Sequence, residues 1–327
     1  MHGAVLVTLT RGSTPESEHH GSYCVVQDGE VTRARGNMET TVFWRSAAKP
    51  IQAMAVIETG AADRFGLTPE ELALCVGSHD GSVKHSETAL SILTKAGEDA
   101  GLLRCGGHPP LSREVAHEYI RDGFQPGRLQ DNCSGKHAGM IAAAKAIGAD
   151  PAAYADPAHP VQQLNLHNMA LLTGLDAAQI KLGTDGCAVP SFGVPLPAIA
   201  QAAARYLSPD GLPEPKAAAA RRIFESVKAH PEMIAGPKRL ATAIVRAGKG
   251  RLLAKSGAEG VYMVGRAGGR SAFAVKIADG RQRALQAVVV ALLEELGWVE
   301  PGVLGRFFPR AVLSREGDPV GEMRVVL

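Results

Sequence analysis

The chain has 327 residues, 45% of them apolar, enough for one large domain or two small ones around a real core. Its 35 Lys+Arg against 33 Asp+Glu leave a net charge of +2, and aromatic residues make up 5%. That balance gives no footprint for nucleic acid or an anionic membrane, and no apolar run approaches the roughly 18 residues of a bilayer span. The expectation is a soluble enzyme acting on a small molecule.

In chain order, Met1–Thr10 reads as a strand, too short and too poor in basic residues for an export signal. The polar pair His19-His20 reads as a solvated loop. Two β-rich stretches, Tyr23–Val26 and Val31–Ala34, flank Gln27-Asp28-Gly29-Glu30, and Asp-Gly between such runs predicts a hairpin. From Ser46 to Glu232 the pattern turns helical, with Ala-rich segments at Ala47–Thr59, Pro69–Val76, His85–Ala96, Lys136–Ile147, Pro160–Leu172, Leu196–Tyr206 and Pro215–His230. Ser208–Pro215 reads as an exposed connection. Strands return at Arg251–Lys255, Gly260–Gly265 and Ser271–Ala278, followed by a helix over about Gly280–Gly297 and a final strand at Glu322–Leu327. The implied fold class is α/β: a mixed, mainly antiparallel sheet built from both chain ends, plus a helical lobe. We expect one domain, with a sheet lobe at about 1–45 and 236–327 and a helical lobe at about 46–235. A cleft between lobes is where a site belongs. Five cysteines (Cys24, Cys75, Cys105, Cys133, Cys187) show no disulfide-framework spacing, which favours a cytoplasmic location.

Five stretches could carry chemistry. Ser46-Ala47-Ala48-Lys49 places a hydroxyl and an amine three residues apart on a helix face, so a neutral lysine could act as base for the serine. Lys255-Ser256-Gly257 ends an apolar strand, and Ser-x-x-Lys early with Lys-Ser-Gly late is the order of serine β-lactamases and penicillin-binding proteins. Asp131–Met140 (Asp-Asn-Cys-Ser-Gly-Lys-His-Ala-Gly-Met) crowds nucleophilic and basic groups into a turn that opens a helix. Gly183–Pro190 is a second glycine-bounded turn, containing Cys187. Gly77-Ser78-His79 could supply another hydroxyl. His159, His167 and His230 are scattered and receive no role. The cysteines alone do not specify a metal, since buried inert thiols are common.

Together these stretches resemble the rhizobial-type (class 3) L-asparaginases. The resemblance rests on Arg45–Pro50, Gly77–His79, Asp131–Met140, Gly183–Cys187 and Lys255–Gly260, in the family's order. It implies a serine β-lactamase/glutaminase-like fold and hydrolysis of L-asparagine to aspartate and ammonia, usually by a homodimer. It also implies two Ser–Lys pairs, Ser46 with Lys49 and Ser78 with Lys255. A zinc ion would be held by Cys133, Lys136 and Cys187, with no organic cofactor, and Arg45, His137 and Asp185 would surround substrate and metal. A further cysteine expected upstream of Lys255 is missing, where Arg239-Leu240-Ala241-Thr242 stands.

The expected mechanism is acyl transfer: Lys49 takes the proton of Ser46, which attacks the side-chain amide, and backbone N–H groups hold the oxyanion. Ser78 either relays protons or is itself the nucleophile. The alternatives are a glutaminase or other serine amidohydrolase of the same fold, and a non-catalytic zinc-binding protein. No Cys-x-x-Cys, Walker A loop or dinucleotide fingerprint points elsewhere.

Overall fold

A computed structural model describes residues 3–327. Its strands are β1 (Ala4–Arg11), β2 (Thr14–Gln27), β3 (Glu30–Arg35), β4 (Thr41–Phe43), β5 (Lys181–Thr184), β6 (Pro190–Pro195), β7 (Leu252–Gly257), β8 (Val261–Arg266), β9 (Ser271–Ile277), β10 (Ala311–Leu313) and β11 (Pro319–Val325). The α-helices are α1 (Lys49–Glu58), α2 (Ala61–Arg64), α3 (Pro69–Cys75), α4 (Val83–Lys95), α5 (Arg113–Arg121), α6 (Ser134–Ala146), α7 (Pro160–Thr173), α8 (Leu196–Leu207), α9 (Glu214–Ala229), α10 (Leu240–Ala247) and α11 (Gln282–Glu295).

Both chain ends feed one sheet in the order β10-β11-β1-β2-β9-β8-β7, and β3 also pairs with β2. Every ladder among the described residues is antiparallel. The long β2 takes β1 along Thr14–Gly21 and β3 along Tyr23–Gln27, while β9 pairs with Gly21–Gln27. The β2–β3 turn is the Asp-Gly hairpin that the sequence predicts. Asp28 (φ +51°) and Gly29 (φ +90°) both occupy the left-handed region that matches the twist of the flanking strands. Consecutive residues of β8 and β9 are buried, so the sheet is covered on both faces, and α8 and α11 pack against it.

The helical lobe is built around α1, α3 and α6, which pack on one another. Thr68 and Glu71 form a reciprocal capping box that starts α3, with Pro69 in its first turn. Two glycines let α6 lie close against α3. A Cβ on Gly135 would come within 2.6 Å of the Leu74 carbonyl oxygen, and one on Gly139 within 2.7 Å of Cys75 Sγ. The short 3-10 turn Arg45–Ala48, which precedes α1, rests on β7. This contact joins the two lobes where the chemistry-bearing motifs lie.

Several expectations need correction. His19-His20 is not a loop but part of β2. His19 is buried, with Nδ1 2.6 Å from Asp279 Oδ2. The polar run looks loop-like, yet pairing with β1 satisfies its backbone, and Asp279 meets the imidazole. Helices α5 and α10 and the small sheet β4-β6-β5 were not foreseen. The helical stretch is therefore interrupted by β5 and β6, and α10 follows residue 235. Of the strand expected over Met1–Thr10, Met1 and His2 lie outside the described residues. All five cysteines are buried and unpaired. No helix among the described residues is long and apolar enough to cross a membrane.

Candidate active site

The first lysine enters the site from the start of α1. Lys49 is fully buried, and its Nζ donates to the carbonyls of Gly77 and, at 3.4 Å, Asn132. It also lies 3.0 Å from Ser78 Oγ and 3.2 Å from Cys133 Sγ. Ser46, one turn earlier, is only partly buried and makes no side-chain hydrogen bond to Lys49. The amine thus reaches across to Ser78 rather than to the serine nearest in sequence.

Ser78 follows α3 at Gly77, where only glycine fits. A Cβ there would come 2.8 Å from the Leu74 carbonyl oxygen and 2.9 Å from that of Met233. The Ser78 N–H donates to the Ile234 carbonyl at 2.9 Å, fixing the backbone. From the opposite side Lys255, on β7, brings its Nζ to 2.8 Å from Ser78 Oγ. Ser78 therefore bridges two buried amines. Burial, then the nearby charge of Lys49, pulls Lys255 well below the ordinary lysine range and toward the neutral amine. Next to Ser78, the His79 ring accepts from the Gly81 N–H at 3.2 Å, which leaves its Nε2–H to donate to Ser134 Oγ at 3.0 Å. That bond ties the Ser78 turn to the start of α6.

A second cluster forms beside the first. Asp131 Oδ1 accepts from the Cys133 N–H at 2.7 Å, and α6 then carries Lys136 to within 3.1 Å of Cys187 Sγ. Cys187 sits in a tight turn, where the Asp185 N–H donates to the Val189 carbonyl at 2.9 Å and Ala188 takes φ +71°. A hydrogen bond with Cys187, aided by Lys49 and Lys136, holds the Cys133 thiol well below its ordinary range despite burial. The same bond and burial push Cys187 up. Burial works against the Lys136 ammonium, but Cys187 and Cys133 outweigh it and raise this lysine. Burial also lifts the Asp131 carboxyl to about 6.

Arg45 and Asp185 form the rim. Arg45 adopts φ +52°, unusual for a non-glycine residue, and its Nε donates to Asp185 Oδ2 at 3.0 Å. His137 is fully buried. Its Nδ1 is 2.5 Å from the Tyr154 hydroxyl, which itself accepts from the Arg104 N–H at 2.9 Å. The Tyr154 proton therefore goes to Nδ1, placing the imidazole proton on Nε2, which has no partner. Burial keeps this ring neutral.

Of the ten residues singled out in the sequence, eight fall into hydrogen-bonded groups, with Arg45 paired to Asp185, while among the described residues Ser46 and His137 make no side-chain hydrogen bond to the other eight. Lys49, Ser78 and Lys255 form one, Cys133, Lys136 and Cys187 another, and Lys49 touches both. The sequence missed His108, whose Nε2 accepts from the Asn132 N–H at 3.1 Å. It lies in a Gly/Pro-rich loop that carries no motif. It also missed Asp80, whose carboxyl burial raises to about 6 and whose nearest cation is Arg239 at 3.6 Å. Elsewhere, Glu70, His230 and Glu232 bring three possible metal donors together. Lys84 already bridges those two carboxylates at 2.8 and 3.1 Å, supplying the positive charge that a cation would.

Among curated proteins, none matches the sequence significantly. Three solved structures show an overall likeness. Mglu in its native form in the presence of 4.3 M NaCl is 12% identical, over 85% of this chain and 61% of that one, with a TM-score of 0.48. Mglu in its native form is 14% identical over 84% and 63%, with a TM-score of 0.46. A structure titled "Probable glutaminase from Bacillus subtilis complexed with 6-diazo-5-oxo-L-norleucine" is 13% identical over 86% and 85%, with a TM-score of 0.40. The chain spans less than two thirds of the length of the Mglu chains. The family model for L-asparaginase II matches residues 7–325, nearly the whole sequence. The chain belongs to the L-asparaginase II family.

Proposed function

We propose that this amidohydrolase hydrolyses L-asparagine to aspartate and ammonia through an aspartyl ester on Ser46. The observation that carries the reading is the continuous Lys49–Ser78–Lys255 chain, with Ser78 Oγ 3.0 Å from one amine and 2.8 Å from the other. Ser46, one turn before Lys49, is only partly buried and open to a substrate, whereas Ser78 is buried and held between the amines. A hydroxyl so held suits proton transfer better than attack. Lys49 passes a proton to Ser78 Oγ as the Ser78 proton moves to the neutral Lys255, and Lys49 is left with a free lone pair. It then removes the Ser46 proton while Ser46 Oγ attacks the side-chain amide carbon. Collapse of the tetrahedral intermediate breaks the C–N bond, with the proton on Lys49 going to the leaving nitrogen as ammonia. Water hydrolyses the ester with the same base.

The remaining residues suit recognition. Arg45, steadied by Asp185, can receive a carboxylate, while His137 lies buried behind the cluster with its Nε2–H unpartnered. Cys133, Lys136 and Cys187 fit a Zn²⁺ ion by donor chemistry, with two soft sulfurs and an amine converging and the Cys133 thiol already biased toward thiolate. When bound, zinc would supply a positive centre that orients the charged groups of the substrate. Five buried, unpaired cysteines support a reducing, cytoplasmic setting.

The test is ammonia release from asparagine and from glutamine by the wild type and by Ser46→Ala. The reading expects asparagine to be preferred and the variant to be folded, zinc-competent and inactive. A glutamine preference would make the protein a glutaminase, because one methylene changes a pocket by only about 1–3 kcal/mol. An active Ser46→Ala enzyme would move the nucleophile to Ser78.

A further inference from the structure

A cavity of 400 Å³ lies where the β2–β3 hairpin, the turn between β8 and β9, the end of α7 and the end of α8 meet. It shares no residue with the catalytic cluster, the thiol cluster or their Arg45–Asp185 rim. The volume falls in the roughly 300–1,000 Å³ range of small-molecule sites.

Hydrogen bonds knit its wall together. Arg270 closes the β8–β9 turn at φ +40°, its N–H donating to Ser208 Oγ at 3.3 Å and its carbonyl accepting from the Asp28 N–H at 3.1 Å. Ser208 Oγ, already an acceptor, still has its own proton to donate. The Arg270 guanidinium lies along the Gly211 part of the wall, with Nη2 3.7 Å from where a Cβ on that glycine would stand. Among the described residues this guanidinium makes no hydrogen bond or ion pair, and Asp210, beside Gly211, faces Arg221 at 3.9 Å instead. A second arginine comes from α8. Arg205 Nη1 donates to the carbonyls of Leu171 at 3.5 Å and Leu172 at 3.1 Å, which leaves the Nε–Nη2 edge of its planar fork free. Leu171 itself lines the cavity, so this guanidinium also stands at the wall.

Two arginine forks without a counter-ion at one cavity suit an anion with several oxygens, and a phosphate offers more of them than a carboxylate. Asp28 is on the same wall, and its carboxylate pairs with neither arginine. An acid there would repel a bare anion and calls for hydroxyl donors on the same ligand, which the diol of a ribose supplies. The Gln201 amide adds a donor and an acceptor, and Val26, Leu171 and Leu212 add apolar surface, which together match the edge and face of a base.

We propose that this cavity binds a nucleoside monophosphate. Its phosphate lies between Arg205 and Arg270 with Ser208 Oγ donating to it, its ribose diol donates to the Asp28 carboxylate, and its base rests on Leu171 and Leu212 beside Gln201. The site is separate from the Ser46 cluster and does not depend on which amide that cluster hydrolyses.

The probe is adenosine monophosphate, titrated calorimetrically into the full chain. Saturable binding is expected, weakening as salt is raised. Adenosine, which lacks the phosphate, and inorganic phosphate, which lacks the nucleoside, should each bind at least about tenfold more weakly. Arg270→Gln should weaken the nucleotide by a similar factor. Because that guanidinium has no partner in the protein, the variant should melt with the wild type, whereas Arg205→Gln also uncaps the end of α7. The wild type should bind the dideoxy nucleotide, which lacks the ribose diol, several-fold more weakly than the parent. Asp28→Gly, which keeps the left-handed turn, should erase that preference. Lys255→Met should bind the nucleotide as the wild type does. No saturable binding by the wild type would overturn the proposal, as would unchanged affinity in Arg270→Gln or inorganic phosphate binding as tightly as the nucleotide. Loss of binding in Lys255→Met would also overturn it, by moving the ligand into the catalytic cluster. Failure to release ammonia from asparagine would refute the proposed activity and leave this site standing.

Discussion

Two buried lysines a short distance apart are driven in opposite directions. Lys255 is surrounded by a hydroxyl, a carbonyl and the positive charge of Lys49, and burial pulls it toward the neutral amine. Lys136 is buried as deeply, yet two thiols keep it charged. Burial therefore sets the stakes, and the neighbours set the outcome. The neutral lysine is suited to moving a proton. The charged one is held protonated by its sulfur neighbours, so a metal has to displace that proton before the amine can join them as a ligand.

The largest effect should come from the proton chain. Lys255→Met removes the neutral acceptor and should lower kcat roughly 10²–10⁴-fold, with far less effect on KM, as measured by steady-state ammonia release. A variant near wild-type kcat would show that the chain is not used. The thiol cluster should respond through metal instead. Lys136→Met should weaken zinc by more than the roughly 10–100-fold typical of an outer-shell partner, as read by competition with a chelator. Zinc occupancy of the wild type should also fall as the pH drops, because thiols and amine must all be deprotonated to bind. Occupancy that is flat from neutral to mildly acidic pH would mean that other residues hold the ion.

Stability gives a smaller, sharper contrast. With Lys255 neutral in the folded chain and charged at an ordinary pKa of about 10.4 when unfolded, the unfolded chain binds the extra proton. Wild-type stability should then rise with pH up to about 10.4. Lys255→Met should lose that slope, so its advantage over the wild type is greatest near neutral pH and fades in alkali. Parallel unfolding curves at all pH values would mean that Lys255 is charged in the fold. The smallest effect concerns the packing that brings the clusters together. Gly135→Ala pushes a methyl into the Leu74 backbone and should cost about 1–3 kcal/mol in denaturant unfolding.

The chemistry was legible in the sequence because it sits in short, glycine-bounded turns whose local spacing survives folding. The Cys133–Lys136 pair is one helical turn of α6, and the Asp28-Gly29 hairpin needs only two backbone angles. What the sequence hid depends on distant packing. Spacing alone pairs Lys49 with Ser46, but the close approach at Gly77 brings Ser78 to the amine instead. His19 looked solvated because its partner Asp279 lies 260 residues away. The Tyr154 bond that fixes the His137 proton on Nε2 is likewise set by the fold, since Arg104 must reach the same hydroxyl.

The most direct test is to quench the enzyme in acid during turnover of L-asparagine and map the trapped acyl group by peptide mass spectrometry. The account predicts one aspartyl ester on the peptide containing Ser46, and less of it in Lys255→Met, where Lys49 has no neutral amine to pass its proton toward. An ester on Ser78, or turnover with no covalent adduct on either serine, would contradict it.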